Sequence, residues 1–147
     1  MNLLLDSSVW IHHLRSGGLE ELLAGIRGKF LLWSDSVVQA ELVAGCRSKQ
    51  ERRVVARLFA PFERAARVVT PSEADYRRAS LALSRLRERG RTLSNPGGAL
   101  LDSLIASCAI QIGALLVTAN SRDFESLRRE LPLQLESYDS FRPRLSL

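Results

Sequence analysis

Lysine, histidine and cysteine are all scarce in this chain of 147 residues. Lys29 and Lys49 are its only lysines, so the net charge of +5 at pH 7 is carried almost wholly by arginine. Cys46 and Cys108 form no CxxC pair and no zinc-ligand spacing. That excludes a disulfide framework and a thiolate zinc site, and both cysteines read as small core residues. Long apolar runs are missing too. The longest, 104–119, is short of a membrane span and is interrupted by Ser107, Gln111 and Gly113. No basic segment followed by an apolar stretch opens the chain, so no signal peptide is expected and a cytoplasmic, soluble protein is. Repeats and low-complexity segments are absent as well.

What is present is a set of misplaced acids. Asp6 ends the run Leu3-Leu4-Leu5, and Glu41 lies within Val37 to Ala44. Asp102 interrupts Ala99 to Ala106, and Asp123 follows the run Leu115 to Thr118 by a few residues. A carboxylate in apolar surroundings is costly unless its charge is matched. Four together would repel one another, and a shared divalent cation is the simplest neutraliser. Hard oxygen donors without a His/Cys cluster point to Mg²⁺ or Mn²⁺. Each acid also has a plainer reading. Asp6 suits a helix N-cap, which is compatible with a site role. Glu41 suits an exposed helix position, and Asp102 and Asp123 suit first turns favoured by the helix dipole. The arginine surplus suits phosphate, which guanidinium grips in a bidentate fashion, or simply a solvated cationic surface.

Apolar content of 46% in 147 residues is enough for one domain, taken as residues 1–147, with one core. Leu3–Leu5 predicts a buried parallel strand, followed by helices over Val9–Leu14 and Leu19–Ile26. Phe30–Trp33 predicts a second strand. Ser36 with Gln39 predicts a capping box that opens the helix carrying Glu41, which Gly45 can end. A basic amphipathic helix is expected from Lys49, stopping at Pro61. Arg67–Thr70 predicts a third strand, and Thr70-Pro71-Ser72-Glu73 a cap for a helix to about Arg89. Residues 90–98 read as a loop, and Asn95-Pro96 as the cap of the helix carrying Asp102. That helix closes at Gly113. Leu115–Thr118 and Gln134–Glu136 predict two further strands, the last at an edge, with a short helix near Asp123 between them. Alternating strands and helices indicate an α/β fold with a parallel sheet. Its ligands would lie beyond the carboxyl ends of the strands, where the strand order reverses.

Four pieces of the chain, in order, resemble the PIN-domain nucleases, and among them the VapC-like toxins of type II toxin–antitoxin pairs. They are Leu5-Asp6-Ser7-Ser8-Val9-Trp10-Ile11, Ala40 to Gly45, Asp102-Ser103-Leu104-Ile105-Ala106 and Thr118 to Phe124. The resemblance implies a three-layer α/β/α sandwich around a parallel sheet of four to five strands. It implies Mg²⁺- or Mn²⁺-dependent endoribonuclease activity, with RNA phosphodiesters hydrolysed by a metal-activated water. It carries Asp6, Glu41, Asp102 and Asp123 over as catalytic and metal-binding residues, with Ser8, Thr118 and Asn120 in support. It further implies a cognate antitoxin partner and a homodimer. Some relatives carry an acid where this chain has Asn120, which leaves Asp123 to ligate directly, through water, or only to orient a neighbour.

Other features are less pointed. Arg77, Arg78, Arg85 and Arg89, with Arg87 and Arg91, gather on one helix and its exit; they suit RNA, an acidic partner segment or plain solvation. His12 and His13 face different ways on a helix and read as solvated side chains. Phosphoryl-transfer folds with an Asp at the first strand end fit poorly, because Ser8 stands where a phosphatase wants a second Asp. The competing reading is a non-catalytic PIN-like RNA-binding or scaffold protein.

Overall fold

A computed structural model describes residues 1–145. Five parallel strands form one sheet in the order β3-β2-β1-β4-β5. They are β1 (Asn2–Leu5), β2 (Leu31–Asp35), β3 (Val68–Val69), β4 (Leu115–Thr118) and β5 (Gln134–Ser137). The helices are α1 (Ser7–Ser16), α2 (Leu19–Ile26), α3 (Ser36–Ala44), α4 (Lys49–Arg64), α5 (Glu73–Glu88), α6 (Ala99–Gln111), α7 (Ser121–Arg128) and α8 (Tyr138–Phe141). Short 3₁₀ turns cover Pro96–Gly98 and Arg142–Leu145. The result is an α/β/α sandwich. β1 and β4 are central, and Leu3, Leu4, Leu5, Leu116 and Val117 are all sealed from solvent. This is why these strands are apolar throughout and do not alternate. The chain proceeds outward from β1 to β2 and β3, then crosses back to β4 and β5. The strand order therefore reverses between β1 and β4, where such folds open a binding crevice.

Several local expectations are corrected. β2 runs two residues past Trp33, so Asp35, not Ser36, caps α3; its carboxylate accepts a bond from the Val37 N–H at 2.6 Å. Pro61 does not stop α4, which continues to Arg64. Phe62 lies on that last turn and packs edge-on against Trp10, with ring centroids 6.3 Å apart, beside Phe59. Burying this aromatic cluster outweighs the one backbone bond that proline removes. The capping box of α5 is formed by Ser72 and Asp75, with Asp75 Oδ2 accepting from Ser72 N at 2.8 Å. Thr70 and Glu73 have no part in it. Asn95 caps the 3₁₀ turn, not α6 itself, by accepting from Gly98 N at 3.2 Å. Gly113, at φ +61°, does close α6. Among the described residues no helix is long and apolar enough to cross a membrane.

Candidate active site

The reversal point between β1 and β4 is occupied by Asp6. Its N–H donates to the Val117 carbonyl at 2.9 Å, so its backbone extends the sheet while its side chain starts α1. Oδ1 accepts from the Ser7 N–H at 2.7 Å, the N-cap bond. Oδ2 accepts from the Ser8 hydroxyl at 2.7 Å and the Thr118 hydroxyl at 2.8 Å. Those two hydroxyls are themselves oriented. Ser8 Oγ accepts from Ala119 N at 3.1 Å, and Thr118 Oγ1 accepts from Asn120 N at 2.9 Å. A hydroxyl has one proton, and in each case the backbone bond leaves it free for Asp6. Asp6 is thus buried, capped and doubly held. The Asn120 side chain makes no cap bond to α7; its contribution is this backbone N–H.

Glu41 approaches from the sixth residue of α3. The Ser7 hydroxyl lies 3.4 Å from its Oε1 and 3.3 Å from Asp6 Oδ1, bridging the two acids. Burial raises the Glu41 pKa, the Asp6 charge adds to the rise, and Ser7 opposes it. Asp102, on the first turn of α6, is half-buried, and among the described residues nothing donates a hydrogen bond to it. Burial, then the charges of Asp6, Glu41 and Asp123, push it up to about 7. These mutual effects place the acids within electrostatic reach of one another.

Asp123 behaves differently. It is buried and faces the loop before α6, accepting from Ser94 N at 2.8 Å, Ser94 Oγ at 2.6 Å and Asn95 N at 3.2 Å. Burial alone would raise its pKa, but these three bonds, with the Arg122 charge, hold it below the usual carboxylate range. Its oxygens are engaged in fixing the loop that leads to Asp102.

A divalent cation fits this donor set in chemistry. Glu41 and Asp102 are oxygen donors with unused lone pairs, raised pKa values and mutual repulsion, which a hard cation would relieve. Among the described residues no three His, Cys, Asp or Glu side chains already converge as a metal cage, so binding would draw the carboxylates inward.

One acid escaped the sequence reading. Asp35 ends β2 as Asp6 ends β1, and the same signal, an acid closing an apolar strand, marks it. It is buried, its Oδ2 has no hydrogen-bond partner, and burial pushes its pKa to about 7. It sits at the base of the helix carrying Glu41 and beside the Cys108 thiol of α6, the helix carrying Asp102. The thiol is in turn pushed up by burial and by Asp35. The arginine cluster is divided: Arg77 pairs with Glu73 and Arg89 with Glu130, whereas Arg85 is exposed and Arg78 is half-buried with Nη1 unpartnered. Beside Glu41, a groove of about 570 Å³ runs between α1, α3 and α4, lined by Ile11, Leu14, Leu42, Cys46, Val54 and Val55.

The profile of the PIN domain matches residues 3–130. The chain belongs to the PIN domain family. No curated protein matches it. Solved structures similar to this PIN domain include VapBC2 from Rickettsia felis bound to a promoter DNA fragment, at 23% identity and TM-score 0.68 over 95% of this chain and 100% of the other. VapBC-1 from nontypeable Haemophilus influenzae is 20% identical, with TM-score 0.69 over 95% of this chain and 99% of the other. DNA-bound VapBC from Salmonella typhimurium is 19% identical, with TM-score 0.66 over 93% and 98%. At these identities the likeness is one of fold, and it extends over nearly the whole length of both chains.

Proposed function

We propose that this PIN domain is a Mg²⁺- or Mn²⁺-dependent endoribonuclease and the toxin of a VapBC-like pair. The reading is supported by the Ser7 hydroxyl that bridges Asp6 and Glu41 at the β1/β4 reversal, and by Asp102, which feels both charges, is raised to about 7 and accepts no hydrogen bond among the described residues. In this reading those three carboxylates hold the metal. When bound, it supplies a Lewis acid that makes water nucleophilic near neutral pH and offsets charge gathering on the phosphate. Ser8 and Thr118 keep Asp6 aimed by donating to Oδ2. Ser7 keeps Glu41 beside it, and Asp123 supports the rim from the loop side. No histidine base is required, and the products carry a 5′-phosphate and a 3′-hydroxyl.

The antitoxin belongs to the same reading. The apolar groove beside Glu41, rimmed by Arg15, Arg47 and Glu51, suits an amphipathic partner segment that would cover the acids. Homodimerisation is supported by Leu81, Leu100 and Leu101, which expose 50%, 45% and 39% of their surface on α5 and α6. The test is incubation of purified, antitoxin-free protein with total RNA, with Mg²⁺ or Mn²⁺ or with EDTA, beside Asp6→Asn. Discrete cuts that need both metal and Asp6 are expected. A 2′,3′-cyclic phosphate on the fragments would refute hydrolysis by water. Metal-independent binding with no cleavage of any RNA would favour the non-catalytic scaffold.

A further inference from the structure

A second cavity lies apart from the acidic rim. It has a volume of about 700 Å³ and lies between α1, α2 and the C-terminal turn, with His12, His13, Tyr138, Arg142, Glu21 and Gly18 among its walls. Its size is that of a ligand pocket. Three rings crowd into it. His12 and His13 stand edge to face at 5.1 Å, His13 and Tyr138 at 5.4 Å, and His12 and Tyr138 are tilted at 6.3 Å. His13 Nε2 and the Tyr138 hydroxyl are 2.6 Å apart, which fixes both rings, whereas His13 Nδ1 is buried without a hydrogen-bond partner. The floor is apolar, closed where Leu145 seats on Gly25 so closely that an added Cβ would lie 3.0 Å away.

Position gives this cavity its meaning. Thr118, which holds Asp6, is in register with Ser137, and Tyr138 is the next residue. His13 lies seven residues along α1 from Asp6, roughly 10 Å by helical rise. The cavity therefore adjoins the elements that hold the acids, α1 and the β4–β5 pair, about 10 Å along α1 from Asp6. Its chemistry is mixed. Arg142 is exposed, forms no ion pair among the described residues and exerts its charge on both His13 and Tyr138. Burial, then His12 and Arg142, lower the His13 pKa, which favours the uncharged ring as a surface. Glu21 opposes a bare anion but accepts hydrogen bonds from an amino-bearing base. Ring faces, one guanidinium and a hydrogen-bond acceptor are what an unstacked nucleotide requires.

We propose that the His12–His13–Tyr138–Arg142 cavity is a subsite for one nucleotide of single-stranded RNA flanking the cleaved bond, with the base against the rings and a phosphate on Arg142. This rests on the ribonuclease reading. The test measures fluorescence anisotropy of a labelled single-stranded RNA oligonucleotide in EDTA, where nothing is cut, against wild-type protein and the His12→Ala/Arg142→Ala double variant. Both side chains are exposed, so melting temperature should hold. Oligonucleotide binding should weaken about tenfold or more. A second variant, Arg142→Gln, should lose a smaller part of the same affinity. Unchanged oligonucleotide affinity in the double variant overturns the assignment. So does cavity-dependent binding of free adenosine or cytidine monophosphate that leaves oligonucleotide affinity untouched, since the occupant is then a free nucleotide. Metal-dependent cleavage by wild-type protein is scored separately. Cleavage with unchanged binding in the variant ends the subsite alone, and wild-type protein that binds no RNA ends both readings.

Discussion

Asp102 and Asp123 are the same residue type in the same setting, the first turn of a helix at the sheet edge, yet they titrate in opposite directions. Asp102 has no donor among the described residues, so burial first and the charges of three other acids second raise it to about 7. Asp123 accepts three bonds from Ser94 and Asn95 and falls below its ordinary value. The helix dipole favours both, so it is not what separates them; local donors and neighbouring charge are. One carboxylate is left in need of a counter-charge, and the other is spent on structure.

The largest expected effect breaks the comparison at its reactive end. Asp102→Asn should cut metal-dependent RNA cleavage by ~10²-fold or more, while the metal-free protein melts no lower than wild type, because a repelling charge is gone. A gel assay paired with thermal melting checks both halves, and a variant that cleaves normally would remove Asp102 from the site. Asp123→Ala should invert that pattern. It leaves the donors of Ser94 and Asn95 unpaired, so unfolding free energy should fall by ~2–4 kcal/mol, read by urea titration, with a smaller loss of cleavage. Thr118→Val removes one of the two hydroxyls on Asp6 Oδ2 and strands the Asn120 N–H. Mg²⁺ affinity by calorimetry should weaken about tenfold, in line with the loss of a ligand-orienting partner.

The smallest effect is in pH. The folded-state pKa of Asp102 lies above its unfolded value, so its ionisation opposes folding. Metal-free protein should gain stability as pH falls through about 7. Mg²⁺ affinity should move the other way, declining over the same interval as Asp102 takes up its proton. Melting curves with and without Mg²⁺ across that interval should converge on the acid side; curves that stay parallel would mean that Asp102 does not face the metal.

Much of this could be read from the chain. An acid terminating or interrupting an apolar run is a local signal; it singles out Asp6, Glu41, Asp102 and Asp123, and the apolar runs mark the elements bearing them. What escaped depends on residues far apart in sequence. Ser94 reaches Asp123 across 29 positions and Tyr138 reaches His13 across 125, so neither partnership leaves a local trace. His13 is accordingly not the solvated side chain its neighbourhood predicts, whereas His12 is exposed. Pro61 stays helical because Phe62 docks on Trp10, again a distant partner. Asp35 is a different case: β2 is two residues longer than its apolar run, so the acid at its true end lies outside the strand that the run predicts.

Asp6 and Thr118 are 112 residues apart, and the hydrogen bond between them crosses the strand reversal. A ribosome must therefore release most of the chain before the first acid acquires its second holder. Until β4 slots in beside β1, a nascent chain carries Asp6 with Ser8 alone on its Oδ2. Timing is thereby built into the topology, since the part of the protein made first becomes competent only when the part made late has arrived.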